Sequence, residues 1–266
     1  MTVRRVTQQA SAAIAALGAL IGVSALPAAA ATGDAACAAG TVYLTLDTGN
    51  MRHAEPIAKI LKHHGVKATF FLASERTDTG DRSLDDAWAP YWRARVAEGH
   101  AFGSHTFDHV YFRGTGADGR VTVRPEFGER AGRTLQWDAR AVCAEIDRVD
   151  ARFRALTGQA LDPLWRAPGG KAPPAAMAAA TACGWSHVHW SPAGFLGDEL
   201  PSDRFPNERL LAQSLRSVRG GDILMAHLGI WSRQDPWAPT LDPLILGLKA
   251  RGLCFATLRE HPEFRR

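Results

Sequence analysis

Seven short stretches rich in Val, Ile, Leu, Phe and Thr recur along this chain, mostly separated by segments of helical periodicity, and that alternation restricts the fold more than any other feature. The stretches are 41–47, 67–73, 101–105, 163–166, 185–190, 222–227 and 253–258. The intervening pattern predicts helices over 55–64, 84–98, 137–156, 174–183, 207–218 and 243–251, four of them stopped by Gly65, Gly99, Gly158 and Gly184. Strands alternating with helices pair in parallel, because each helix carries the chain back to the starting edge. The expected fold is α/β: a distorted parallel (β/α)7-type barrel in a single domain, which a chain of 266 residues accommodates. Two stretches break the rhythm, 111–136 with five glycines and 191–206, and long insertions on such scaffolds carry substrate contacts.

The first 31 residues have the make-up of a signal peptide. Arg4 and Arg5 form a basic start, Ala13 to Leu26 is apolar and uncharged, and Ala28 to Ala31 are small residues suited to cleavage. The apolar run is short for a membrane span, so domain 32–266 is expected to be exported, periplasmic or secreted, with no stable membrane insertion once the signal is removed. Ordinary export fits better than a twin-arginine route, since Val6, Thr7 and Gln8 follow the arginine pair. Cleavage removes two arginines and no acid, so a net charge of +4 falls by two. The remaining arginines are interspersed with acids, which argues against a nucleic-acid partner.

Export also permits disulfides among the four cysteines. Cys37 precedes the first strand and Cys254 begins the last, at one end of neighbouring strands in a closed barrel, so these two are the expected pair. Cys143 near a helix start and Cys183 near a helix end fall at opposite ends of such a barrel, and no bridge is expected there.

The chemistry-bearing residues gather at strand ends. His105 and His109 in G-S-H-T-F-D-H are four apart, a spacing that on one helical turn points both rings at a single divalent metal. Thr106 stands where a metalloprotease would have Glu, which removes that reading. Asp108, on the same turn, points about 100° away from His105 and is not counted as a ligand. Asp47, His105, Arg166 and His227 each close a different strand at the C-terminal face, where parallel barrels build active sites. Eight tryptophans suit sugar stacking, with Trp88, Trp92, Trp190, Trp231 and Trp237 near loops; Trp190 and Trp231 are the substrate-binding candidates.

In that order along the chain, T-L-D-T (45–48), K-A-T-F-F (67–71), S-H-T-F-D-H (104–109), R-A-P-G-G (166–170), H-W-S-P-A (189–193) and L-M-A-H (224–227) resemble the motifs of the polysaccharide deacetylase family, carbohydrate esterase family 4. The resemblance implies an exported hydrolase that removes N-acetyl groups from a glycan, peptidoglycan or another N-acetylated polysaccharide. Carried over, Asp47 would be the catalytic base, His105 and His109 metal ligands, Arg166 the residue that orients Asp47, and His227 the acid that protonates the leaving amine. The implied cofactor is a divalent metal, zinc above others. Backbone N–H groups beside Thr48 are candidate oxyanion donors.

Two positions depart from the pattern. Thr48 stands where the family has a third metal ligand, an Asp, and a hydroxyl is a far poorer ligand than a carboxylate. Muramic-acid deacetylases of the family resemble this variant, with Asn there and W-S-x-A in the fourth motif. Ala193 stands where an Asp would orient His227, and Asp198 in the following loop is the candidate replacement. The competing readings are a metal-free, inactive barrel that only binds glycan, and a hydrolase of non-glycan amides or imides.

Overall fold

The computed structural model describes residues 1–2 and 37–265; the chain divides between Ala31 and Thr32, and the fold below is that of the second unit. The expected signal peptide lies almost wholly outside the described residues. In chain order the elements are β1 (Thr41–Asp47), α1 (Ala54–His64), β2 (Thr69–Leu72), α2 (Ala89–Ala97), β3 (Ala101–Ser104), β4 (Val110–Thr115), β5 (Val121–Pro125) and β6 (Leu135–Trp137). Then follow α3 (Ala139–Thr157), β7 (Leu164–Trp165), α4 (Pro174–Ala182), β8 (Ser186–His187), α5 (Asn207–Ser217), β9 (Ile223–His227), α6 (Leu241–Ala250) and β10 (Cys254–Ala256).

Seven of these strands form one parallel sheet in the order β10-β1-β2-β3-β7-β8, with β9 also paired to β1. It curls as the alternation requires. Between β8 and β9 the ladder gives way to single bonds, Ser191 N–H to Ile223 O at 3.0 Å and Leu196 N–H to Met225 O at 3.2 Å, so the barrel is distorted there. β1 lies at the centre, buried along nearly its whole length, which explains why its sequence is apolar on both faces. Helices cover the outside. α1 turns Ile57, Ala58 and Leu61 to the core and ends at Gly65, whose φ of 61° a side chain would resist. α3 is capped by the Asp138 carboxylate, which accepts from Ala141 N at 2.9 Å, and buries Val142, Ile146, Val149 and Phe153 at helical spacing.

Three expectations change. The helix expected over 84–98 begins only at Ala89, after a short 3-10 turn; Pro90 lacks an N–H and is tolerated in the first turn but not in a helix interior. The insertion 111–136, to which no element was assigned, has regular structure. It folds as an antiparallel sheet, β4-β5-β6, with Phe112, Val121 and Val123 buried and Arg113 and Arg124 outward. Trp137 consequently pairs with Val121 in β6 instead of opening α3.

The third change concerns the cysteines. Cys37–Cys254 forms as expected, because Thr41 and Cys254 are register partners of β1 and β10. Cys143–Cys183 also forms, with Cα atoms 6.2 Å apart. Opposite barrel ends would separate them only if both helices ran the full barrel height. α4 has nine residues against nineteen in α3, and it packs with its C-terminal turn against the first turns of α3, where Cys143 Sγ lies 3.4 Å from Ala179 O. No helix among the described residues is long and apolar enough to cross a membrane.

Candidate active site

Asp47 ends β1 and is 2% exposed. Directly behind it, the wholly buried Arg166 follows β7 and donates from Nη1 to Asp47 Oδ1 at 2.8 Å and from Nε to Val188 O at 3.3 Å. The guanidinium lies 4.2 Å from the Phe71 ring centroid, so its second Nη is buried without an acceptor. Burial alone would push the Asp47 carboxyl up. Arg166 first, then His105 and His227, outweigh that and hold it below the usual carboxylate range, so Asp47 is an anion at neutral pH.

His105 Nε2 lies 3.6 Å from the other Asp47 oxygen, Oδ2. Its Nδ1 is 2.9 Å from the Arg166 carbonyl, which can only accept, so Nδ1 carries the proton and Nε2 the lone pair. Burial pushes this imidazole down to about 3, and it is neutral. His109 is beside it, with ring centroids 5.0 Å apart. The two do not share a helical turn: residues 105–109 form a tight loop in which Thr106 and His109 take positive φ values of 63° and 47°. The Thr106 hydroxyl braces this loop by accepting from Val110 N at 2.7 Å. His109 Nδ1 bonds the Glu126 carboxylate at 2.6 Å; burial would lower its pKa, but Glu75 and Glu126 raise it. Asp108 turns outward to Arg148 at 2.9 Å, away from both rings.

His227 ends β9 as the register partner of Asp47. Asp198 accepts from its backbone N–H at 2.7 Å and lies 3.1 Å from its Nδ1, filling the place that Ala193 leaves. Burial would lower the His227 pKa, but Asp198 foremost, then Asp47 and Glu199, push it up to about 10. His227 is therefore an imidazolium at neutral pH. A cavity of about 460 Å³ opens over these groups, lined by Asp47, His105, His109 and His227, with Trp190 and the 55% exposed Trp231 at its walls. Trp92 and Trp237 are core residues instead, and Trp88 spends its indole N–H on Asp81.

Three carboxylates at the cavity were not singled out from sequence: Glu75, Glu126 and Glu199. Glu75 follows β2 at the same barrel face as Asp47, so the strand-end criterion would have found it. Its Oε1 accepts from the Thr48 hydroxyl and from Gly49 N at 2.9 Å. Thr48 N in turn donates to Phe71 O at 3.2 Å. The Thr48 and Gly49 amides are thus both occupied, and neither is free to be the oxyanion donor expected beside Thr48.

The donors suit a divalent cation. Each histidine has Nδ1 held by a carbonyl or carboxylate, the second contact that orients metal-bound imidazoles and leaves Nε2 for the ion. Among the described residues, no three His, Cys, Asp or Glu side chains already surround one point.

Residues 35–188, more than half the chain, match the family model for polysaccharide deacetylase. The chain belongs to the polysaccharide deacetylase family. The family includes hydrolases of N-acetyl amide bonds, and this polysaccharide deacetylase is similar over 231 residues, at 24% identity, to a chitooligosaccharide deacetylase of Azorhizobium caulinodans, with 82% of this chain and 92% of the relative covered. Its fold is that of a family 4 acetyl xylan esterase from Clostridium thermocellum solved with a cobalt ion (TM-score 0.63, 23% identity, 83% and 89% covered). A family 4 pseudoenzyme from Bacillus anthracis shares it too (TM-score 0.60, 19% identity, 83% and 64% covered).

Proposed function

We propose that this deacetylase is exported and removes N-acetyl groups from a cell-envelope glycan, peptidoglycan or another N-acetylated polysaccharide. One observation carries the reading: an anionic Asp47 and a cationic His227 end adjacent strands on one cavity, a base and an acid in the protonation states that amide hydrolysis requires. Asp47 accepts a proton from the attacking water, and Arg166 keeps that carboxylate aimed and ionised. The hydroxide equivalent adds to the acetyl carbon. As the C–N bond breaks, His227 delivers its proton to the departing nitrogen, so acetate and a free amine leave. Asp198 holds the imidazolium through Nδ1 and leaves Nε2–H for the leaving group.

His105 and His109 would hold a divalent ion, zinc by the chemistry of nitrogen donors, which when bound polarises the carbonyl and acidifies water. Trp190 and Trp231 offer flat apolar faces for sugar rings at the cavity wall. The test is acetate release from N-acetylglucosamine oligomers and peptidoglycan with zinc supplied. Asp47→Asn should lower turnover by roughly 10²–10⁴-fold with the fold retained; near-normal release by that variant would remove Asp47 as the base.

Thr48 favours a second reading, a catalytically silent barrel that binds glycan. Glycan binding without acetate release from any N-acetylated polymer would select it.

A further inference from the structure

The family's third metal-binding carboxylate is absent from position 48, yet a carboxylate is present at that point of the site. Glu75 reaches it from the adjacent strand. Asp47 and Phe71 are register partners of β1 and β2, and Glu75 lies four residues past Phe71, so its side chain enters the cavity beside the end of β1. Thr48 serves as its anchor. The Thr48 hydroxyl donates to Glu75 Oε1, Gly49 N donates to the same oxygen at 2.9 Å, and Ala73 N donates to the Thr48 hydroxyl oxygen at 3.2 Å. From behind, Ser83 Oγ accepts from Glu75 N at 3.1 Å, and Ser83 N donates to Glu75 O at 2.9 Å.

Every one of those side-chain bonds falls on Oε1. Among the described residues Oε2 has no hydrogen-bond donor, although Glu75 is only 7% exposed and lines the same cavity as His105 and His109. Oε2 is open to the cavity and not sealed in the core, so it is available to a cation that enters there. The His109 and His105 rings, each with Nδ1 already engaged, offer their Nε2 atoms from the neighbouring loop. Two imidazoles and one carboxylate make up the protein ligand set of many catalytic zinc sites, which keep a further position for water.

We propose that Glu75 supplies the third protein ligand for the divalent cation, with Thr48 acting as the hydrogen-bond donor that positions it. Thr48 is then half of an exchange: the carboxylate has moved from β1 to the segment after β2, and a hydroxyl replaces it because two carboxylates could not share that point. The inference rests on the deacetylase reading only for the expectation that the site takes a metal.

The test is metal binding itself. The mature chain, stripped with chelator, is titrated with zinc against a chromogenic competitor, and cobalt is added separately to read coordination from its visible spectrum. Wild type should bind one equivalent. Glu75→Gln should lose more affinity than the roughly 10–100-fold that removal of an outer partner costs, with an altered cobalt spectrum. Thr48→Asp in the wild-type background should not tighten binding, because the new carboxylate meets Glu75 Oε1 where a donor had been. The double variant Thr48→Asp/Glu75→Gln should recover affinity. Should Glu75→Gln fold poorly, Glu75→Asp and the anomalous signal of zinc in a crystal of the wild-type chain report on the same ligand. Unchanged zinc affinity in Glu75→Gln, tighter binding by Thr48→Asp alone, or no zinc on the wild type would overturn the proposal. Acetate release is assayed separately. Metal binding that depends on Glu75 without deacetylation would refute the proposed activity and leave the ligand assignment standing.

Discussion

Asp198→Asn isolates the interaction that makes His227 an acid. Burial by itself lowers the His227 pKa from 6.5; the Asp198 carboxylate, 3.1 Å from Nδ1, is the largest influence that raises it, towards about 10. An amide at position 198 keeps the shape and one hydrogen bond but removes the charge, so the pKa should fall from about 10, with Asp47 and Glu199 still opposing the effect of burial. The protonated form is the one that donates to the leaving amine. Wild-type activity should therefore persist through neutral pH and decline only as pH rises towards 10. The variant should decline at a lower pH than wild type, because a smaller share of its molecules then carries the proton. A cation between His105 and His109 adds positive charge nearby and draws both limbs downward, but their separation remains. Stability follows the same sign. His227 has a raised folded pKa, so its contribution is fully present below 6.5 and is lost as pH rises towards 10. The assay is acetate release against pH from 5 to 10 for both proteins, with thermal unfolding over the same range. A variant whose alkaline limb coincides with that of wild type would refute the assignment of His227 as the proton donor positioned by Asp198.

Arg166→Met leaves Asp47 buried without its cation; it should destabilise the fold by about 3–5 kcal/mol in chemical denaturation, the cost of a broken buried pair, and should raise the acidic limb of the pH profile. The Cys143→Ala/Cys183→Ala double variant removes a bridge across 40 residues of sequence and should lose about 2–4 kcal/mol in urea unfolding. Non-reducing peptide mapping should recover both disulfides. Trp231→Ala, at an exposed position on the cavity wall, should raise KM severalfold with kcat nearly unchanged, corresponding to about 0.5–1.5 kcal/mol of ring stacking. An effect confined to kcat would place Trp231 in the chemistry instead.

The parallel core could be read directly. β-branched and aromatic runs such as T-V-Y-L-T-L-D are apolar on both faces only because a central parallel strand is covered on both sides, and glycines such as Gly65 and Gly158 mark helix ends through a backbone conformation that other residues resist. Because parallel strands all finish on one face, Asp47, Arg166 and His227 could be placed together before any distance was known. The His105 and His109 rings do lie side by side, but not on the helical turn that their spacing suggested. A loop with two residues at positive φ brings the rings together, and periodicity does not register such a loop. The alternation in β4 and β5 is present in 110–125, but five glycines nearby obscure it. What the sequence could not determine was which elements of unequal length lie alongside one another. Cys143 meets Cys183 because α4 is short, and Glu75 meets Thr48 because a segment beyond β2 turns back across the end of β1. Spacing along the chain carries the direction of a side chain within an element. Contacts between elements far apart in sequence depend on packing, and at this cavity packing determines that the Glu75 carboxylate meets the Thr48 hydroxyl.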